Sequence, residues 1–322
     1  MLRFLIRRVV LGAFVMLMVT IMVFGIFFVG GNAETVAYRL AGRNAQAKTV
    51  ALIIKRLHLH DPILVQYWDF LKRLVWHHDL GYSYYGNEPV STILKQTVPI
   101  TLSLAIGAAI IWIILGVLSG VLSAVRRGSI LDRIITTLAL FFYSMPTFVL
   151  GLMLLFLVSY QLQVRGIRIF PGQGYVGLTQ SPVQWVESLT LPWITLALVS
   201  AATYARLTRG SLLEVLGEDY IRTARAKGLR ERRVIFRHGL RSALTPVASQ
   251  FGIDVGVLVG GAIVTETVFG LPGLGFTVVR AINNGDLPVI IGIVIVASGA
   301  VVVANILMDM VYAFLDPRVR LH

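Results

Sequence analysis

With 322 residues, 56% hydrophobic and only 14% charged, and a mean hydropathy of +0.78, the chain is too apolar to be a soluble domain with a solvated surface. The absence of cysteine excludes a disulfide framework, a thiolate metal site and a catalytic thiol. The net charge of +13 does not indicate nucleic acid, because the basic residues are grouped between apolar runs, where they report membrane orientation.

The first element is a charge-free run from Val9 to Gly30 behind Arg3, Arg7 and Arg8. It is longer than a signal-peptide core and lacks an Ala-x-Ala site before Asn32, so a retained transmembrane helix over 1–30 is expected. Residues 31–98 then read as a small extracytoplasmic subdomain. Thr49 to His58 is amphipathic, Asp61-Pro62 is a break, and Ile63 to Trp76 forms a second helix. Tyr67, Trp68, Trp76, Tyr82, Tyr84 and Tyr85 suit an interfacial cap.

Two lookalikes in this segment carry little. Gly42-Arg-Asn-Ala-Gln-Ala-Lys48-Thr49 nearly spells a phosphate-binding loop, but Ala47 replaces the required glycine and no strand precedes it. His58, His60 and Asp61 with His77, His78 and Asp79 have metal-ligating chemistry without a fixed spacing, and read as interfacial or solvated side chains rather than a metal site.

Three more charge-free stretches follow, Pro99 to Val125, Ile134 to Val164 and Ser188 to Ala205, each close to or above the length of a bilayer core. Next comes a basic segment, 210–241, whose center is Glu218 to Leu240. Its first half, with Asp219, Tyr220, Arg222, Ala224, Arg225 and Lys227, is helix-compatible; Gly228 punctuates it; Leu229 and the stretch Arg230 to Leu240, including His238, lead back to the membrane. Small residues flanked by arginines in a helix-turn-helix suit protein docking. A plain positive-inside loop held to anionic lipid is the alternative.

The fifth span, Ser242 to Thr265, contains Asp254, an ionisable group that is costly in lipid and therefore faces a translocation route or a hydrogen-bonding neighbour. After it, Glu266 and Phe269 precede a Gly-Leu-Pro-Gly run whose Pro272, Gly273 and Gly275 cannot continue a helix; a turn dipping towards a pore, acting as an outer gate, is expected, with a simple tight connection between two spans as the alternative. The sixth span, Leu287 to Leu315, carries Asp309 near its end, placed to snorkel or to pair with Arg318. The architecture is thus an all-α integral membrane protein with about six spans, its core covering 99–322.

Orientation follows from Lys and Arg. Arg3, Arg7 and Arg8, Arg126, Arg127 and Arg133, the segment Arg206 to Arg241, and Arg318 with Arg320 fall on one side; the opposite short loops hold only Arg165, Arg168 and Arg280. Both termini are expected in the cytoplasm. The eight basic residues of 31–98 do not oppose this, since long connections translocate largely regardless of charge.

Asp219-Tyr-Ile-Arg-Thr-Ala-Arg-Ala-Lys-Gly-Leu229 resembles the coupling loop of ABC importer permeases, and more narrowly the B-type subunit of the dipeptide and oligopeptide permease family. The same resemblance runs through Leu2-Arg-Phe-Leu-Ile-Arg-Arg8, Gln96-Thr-Val-Pro-Ile-Thr-Leu-Ser103, Gly261 to Gly275 and Asp316-Pro-Arg-Val-Arg320. The chain departs from the general pattern where Arg222-Thr-Ala224 replaces Glu-Ala-Ala, and where His238 and Arg241 replace isoleucine and proline, so no glutamate contact carries over to Arg222.

The resemblance implies a type I importer permease fold in a bacterial inner membrane, importing di- or oligopeptides. It implies no cofactor or ATPase in this chain, with ATP and Mg bound by two cytoplasmic ATPase subunits. A homologous C-type permease, an extracytoplasmic solute-binding protein and membrane lipid are the other implied partners, and nucleic acid is not one. Nickel chelates, glutathione and haem are alternative solutes. A proton-coupled transporter titrating Asp254 and Asp309, or a scaffold recruiting a protein through the basic loop, are readings from other classes.

Overall fold

A computed structural model describes residues 2–29, 31–42, 46–83, 85–167 and 169–315. Outside them lie Arg43–Ala45 of the phosphate-loop lookalike, Tyr84, Arg168, and the closing Asp316–Arg320 block with Arg318. The chain divides into two compact units. The first takes residues up to Thr101 together with Pro272–Met310, and the second takes Leu102–Leu271.

In the first unit, α1 (Leu2–Phe28) is the expected apolar helix. It runs against α14 (Leu287–Leu315): Gly12 has no side chain where a Cβ would meet Val302 at 2.7 Å. Between α1 and α5 (Val90–Val125) lie α2 (Ala33–Ala41), α3 (Ala47–Leu57), α4 (Ile63–Trp76) and a short hairpin of β1 (Tyr82–Ser83) and β2 (Glu88–Pro89). Asn32 caps α2 by accepting from the Thr35 amide at 2.9 Å, a start signal the sequence reading passed over. Pro62 opens α4 and so confirms the break.

Apolar residues of α1, α2, α3 and α14, among them Val23, Val36, Leu40, Ile53, Ile291 and Ile295, form one core. The aromatic residues divide between the packed interior and the surface. Tyr67 turns inward, its ring 5.2 Å from Phe24 and its hydroxyl 3.0 Å from that of Thr20, whereas Trp68, Trp76 and Tyr85 are exposed. The difference is one of helical phase, since Tyr67 and Phe70 share the face of α4 that meets α1.

The second unit contains the rest of α5, then α6 (Ile130–Ser144), α7 (Thr147–Leu154), a π-turn over Leu155–Tyr160, α8 (Gln161–Val164), α9 (Pro182–Leu216), α10 (Asp219–Ala226), α11 (Glu231–Arg233), a second π-turn over Val234–Gly239, and α12 (Leu240–Phe269). The expected single span from Ile134 to Val164 is broken. Met145 turns to an extended conformation before Pro146, whose ring cannot continue α6. In contrast, Pro99, Pro192 and Pro246 are all accommodated inside long helices.

Close packing of α5 on α9 depends on glycine. A Cβ at Gly107 would fall 2.2 Å from the Trp193 indole, one at Gly116 would fall 2.4 Å from Tyr204 Cβ, and one at Gly120 would fall 2.6 Å from the Ala205 carbonyl. Small residues at such spacings let helix backbones approach, which is how helices associate where the hydrophobic effect is absent. The Trp193 indole N–H then donates to the Ser103 carbonyl at 3.0 Å.

Among the described residues, five helical segments are long and apolar enough to cross a membrane: Leu5–Phe28, Val90–Val125, Thr147–Val164, Pro182–Leu216 and Leu287–Met310. The 30-residue α12 has the length for a sixth. Between α12 and α14 lies α13 (Leu274–Asn284), an amphipathic helix where only a turn was expected.

Candidate functional site

The basic loop folds around its own small core. Ile221 of α10 and Val234 of the π-turn are fully buried, Ala224 is 8% exposed, and Val215, Leu216 and Leu229 pack against them. Gly228 takes φ +75, which permits the tight return after α10, with its amide bonded to the Arg225 carbonyl at 2.9 Å. Arg225 clasps Glu231 across the turn, Nη2 to Oε1 at 2.7 Å and Nε to Oε2 at 3.1 Å, and holds the Glu231 carboxyl below its usual range.

Ala224 thus lies in the loop's own core, and Arg225, whose side chain stays exposed, braces the turn. Asp219, Tyr220 and Arg222 lie outward, while Leu229 packs on the core. Asp219 is almost fully exposed and only loosely paired with Arg222 at 3.4 Å, and the Tyr220 hydroxyl is 3.2 Å from that of Ser242. Arg230, Arg232, Arg233 and Arg237 line one surface depression with Phe236, whose side chain is exposed. Lys227 is also exposed, and His238 is half-buried.

A second polar site went unseen in the sequence. Ser129 caps α6, and Asp132 in the first turn is buried. Its carboxylate accepts from Arg209 Nε at 2.8 Å and Nη2 at 2.9 Å, from the Gly128 amide at 2.9 Å, and from the Ser123 hydroxyl. Those donors hold the Asp132 carboxyl far below the ordinary carboxylate range, the Arg209 hydrogen bonds contributing most. The only sequence signal was a lone acid among Arg126, Arg127 and Arg133. One turn earlier on α9, the Arg206 guanidinium stacks over the Tyr143 ring at 4.1 Å.

Within the spans, Asp254 is hydrogen-bonded on both oxygens. Gln250, one turn back, donates to one at 2.9 Å, and the hydroxyl of Tyr204 on α9 lies 2.9 Å from the other. Tyr204 is fully buried and packs on Trp112, which meets Phe251 edge-on. Asp309 pairs with Arg8 at 3.0 Å, α1 and α14 running side by side; Arg318, the other expected partner, lies outside the described residues.

The expected gate is arranged differently. Glu266 is fully buried and Phe269 is 2% exposed, so neither side chain is presented outward. The Phe269 ring approaches Gly151, where a Cβ would be 3.3 Å away. Gly270 ends α12 in the left-handed region, φ +61, and Pro272 is exposed. Gly273 opens α13, and Gly275 lies buried in its first turn rather than in a loop; the Leu274 amide donates to the Thr101 hydroxyl at 2.8 Å. Among the described residues, no three His, Asp or Glu side chains converge as a metal site.

A model of the binding-protein-dependent transport system inner membrane component matches residues 113–321, and the model of its N-terminal region matches residues 1–105. The chain belongs to this family of transport-system membrane components. It is 37% identical over 318 residues to a probable peptide ABC transporter permease, y4tP, of Sinorhizobium fredii, covering 98% of this chain and 99% of that one. Identity to the dipeptide transport system permease DppB of Escherichia coli K12 is 36% over 340 residues, covering 99% of each. Like these permease subunits, it is a multi-pass inner-membrane protein and not itself a catalyst. Its fold is that of the inward-facing MetNI methionine ABC transporter, at TM-score 0.52 and 20% identity, covering 70% of this chain and 96% of that one.

Proposed function

We propose that the chain is the permease subunit of an ATP-driven importer of di- or oligopeptides, with both termini cytoplasmic. End-to-end similarity to a dipeptide permease carries this reading. The basic loop supports it: a self-braced core presents Phe236 among four arginines and Lys227, a surface fitted to an acidic, apolar-edged site on a nucleotide-binding subunit.

In this reading a homologous C-type permease completes the translocation path, two ATPase subunits bind ATP and Mg, and an extracytoplasmic binding protein delivers the peptide. The chain carries no cofactor of its own. ATP-dependent closure of the ATPases stabilises one orientation of the helices through the loop, and hydrolysis releases it. Residues 31–89 and α13 lie on the extracytoplasmic side, while Asp254 flanks the route and is held by Tyr204. ATP hydrolysis by the complex in lipid, with and without dipeptide-loaded binding protein, tests the reading: stimulation supports it, and failure of the chain to bind any ATPase overturns it.

A further inference from the structure

The first unit contains a cavity of about 430 Å³ bounded by the β1–β2 hairpin, the first turns of α5, and α13. That volume lies within the range of small-molecule sites, roughly 300–1,000 Å³. Arg280 lines it from α13, and Glu88 from β2. Among the described residues neither has an ion-pair or hydrogen-bond partner, which leaves one cation and one carboxylate available in the same cavity.

Two further groups sharpen the chemistry. Asp286 lies in the wall, 7% exposed and bonded to the Ser83 hydroxyl, and burial pushes its carboxyl up, so a nearby cation would stabilise its ionised form. Thr97, also in the wall, is 6% exposed, and its hydroxyl has no partner. Helical threonines commonly return the hydroxyl to the carbonyl one turn back, as Thr190, Thr195 and Thr267 do here. Thr97 does not, and a buried hydroxyl left unpaired is unfavourable unless something else completes it.

We propose that this cavity binds the two charged ends of a short peptide, its carboxylate on Arg280 and its ammonium on Glu88, with the Thr97 hydroxyl on the intervening amide. The inference rests on the peptide-permease reading and adds a solute site within this chain. A guanidinium fork matches a carboxylate, and the unpaired Glu88 carboxylate matches an ammonium. Phe276, also in the wall, supplies apolar surface for side chains of varied shape.

The test is equilibrium binding of dialanine, its C-terminal amide and its N-acetyl derivative to the assembled transporter in nanodiscs, without binding protein. Arg280→Gln should weaken dialanine binding about 10- to 100-fold, the range for a lost hydrogen bond to a charged group, and leave the amide unaffected. Glu88→Gln should leave the N-acetyl peptide unaffected, and Arg280→Lys should recover part of the loss. Equal weakening of all three ligands, or no wild-type binding up to about 10 mM, overturns the site. Adding loaded binding protein and ATP to the same nanodiscs separates the two readings. Stimulated hydrolysis without direct peptide binding rejects the cavity and keeps the permease; no stimulation removes the reading on which the cavity depends.

Discussion

Arg209 reaches Asp132 with both arms of its guanidinium, at 2.8 and 2.9 Å, and so ties the start of α6 to the last turns of α9 across 77 residues of sequence. Because Asp132 is buried, losing one partner strands the other charge. Asp132→Asn and Arg209→Gln should each destabilise the purified protein, and the double variant should lose less than the sum of the two; thermal unfolding in detergent reads this coupling. The pH dependence has a definite sign. The folded carboxyl titrates below its unfolded value, so its stabilisation is present above about pH 4 and is withdrawn as pH falls through the lower folded value. Asp132→Asn should flatten the acid limb of a stability-against-pH curve.

Gly120 and Gly210 make a controlled pair. A Cβ at Gly120 would meet the Ala205 carbonyl and Thr208 Cβ at 2.6 Å, whereas nothing lies within 4 Å of one at Gly210. Gly120→Val should cost about 1–3 kcal/mol, as overpacking generally does, and reduce the yield of folded protein. Gly210→Ala should be neutral or slightly stabilising, because alanine favours helix by about 1 kcal/mol over glycine.

The Tyr204–Asp254 contact predicts coupling of modest size. In a double-mutant cycle with Tyr204→Phe and Asp254→Asn, the interaction energy from unfolding should fall near 0.6–1.7 kcal/mol, the range for polar pairs between membrane helices. Transport measured on the same variants reports whether the pair also serves the route. A fall in uptake by Asp254→Asn with assembly preserved assigns Asp254 to translocation.

Arg225 and Glu231 are exposed enough that their pair contributes only about 0.2–1 kcal/mol to the loop. Arg225→Glu should weaken ATPase co-purification, and the swap Arg225→Glu with Glu231→Arg should restore it. Substituting Phe236 and Arg233 by alanine should weaken co-purification without such rescue. Restoration by the swap separates bracing of the loop from contact with the partner.

The parts legible in the sequence were those written in local chemistry. Ile63–Trp76 appears with its expected bounds because a proline starts it and apolar periodicity fills it, and Gly228 turns the basic loop because a left-handed residue was needed there. Contacts between distant segments were not legible. Nothing in composition links Asp132 to Arg209, Asp309 to Arg8, or Tyr67 to Phe24, since each depends on which helix faces become neighbours. Hydropathy also read straight through Pro146, because a broken span is as apolar as an intact one. Glu266 and Phe269 stand beside a glycine-proline run, which says nothing of their burial; the Phe269 ring fits against Gly151, more than a hundred residues away in sequence.

The second arm of the basic loop has no joint where it meets the membrane. Helical backbone runs from Glu231 through the π-turn to Phe269, 39 residues (269 − 231 + 1), or about 58 Å at 1.5 Å per residue. Under the proposed importer reading such a segment would work as a drive shaft: a twist applied beside Phe236 would arrive at Gly270 as rotation, and Asp254 and Glu266 would turn with it. A glycine pair inserted after Gly239 would uncouple the two ends while leaving both intact.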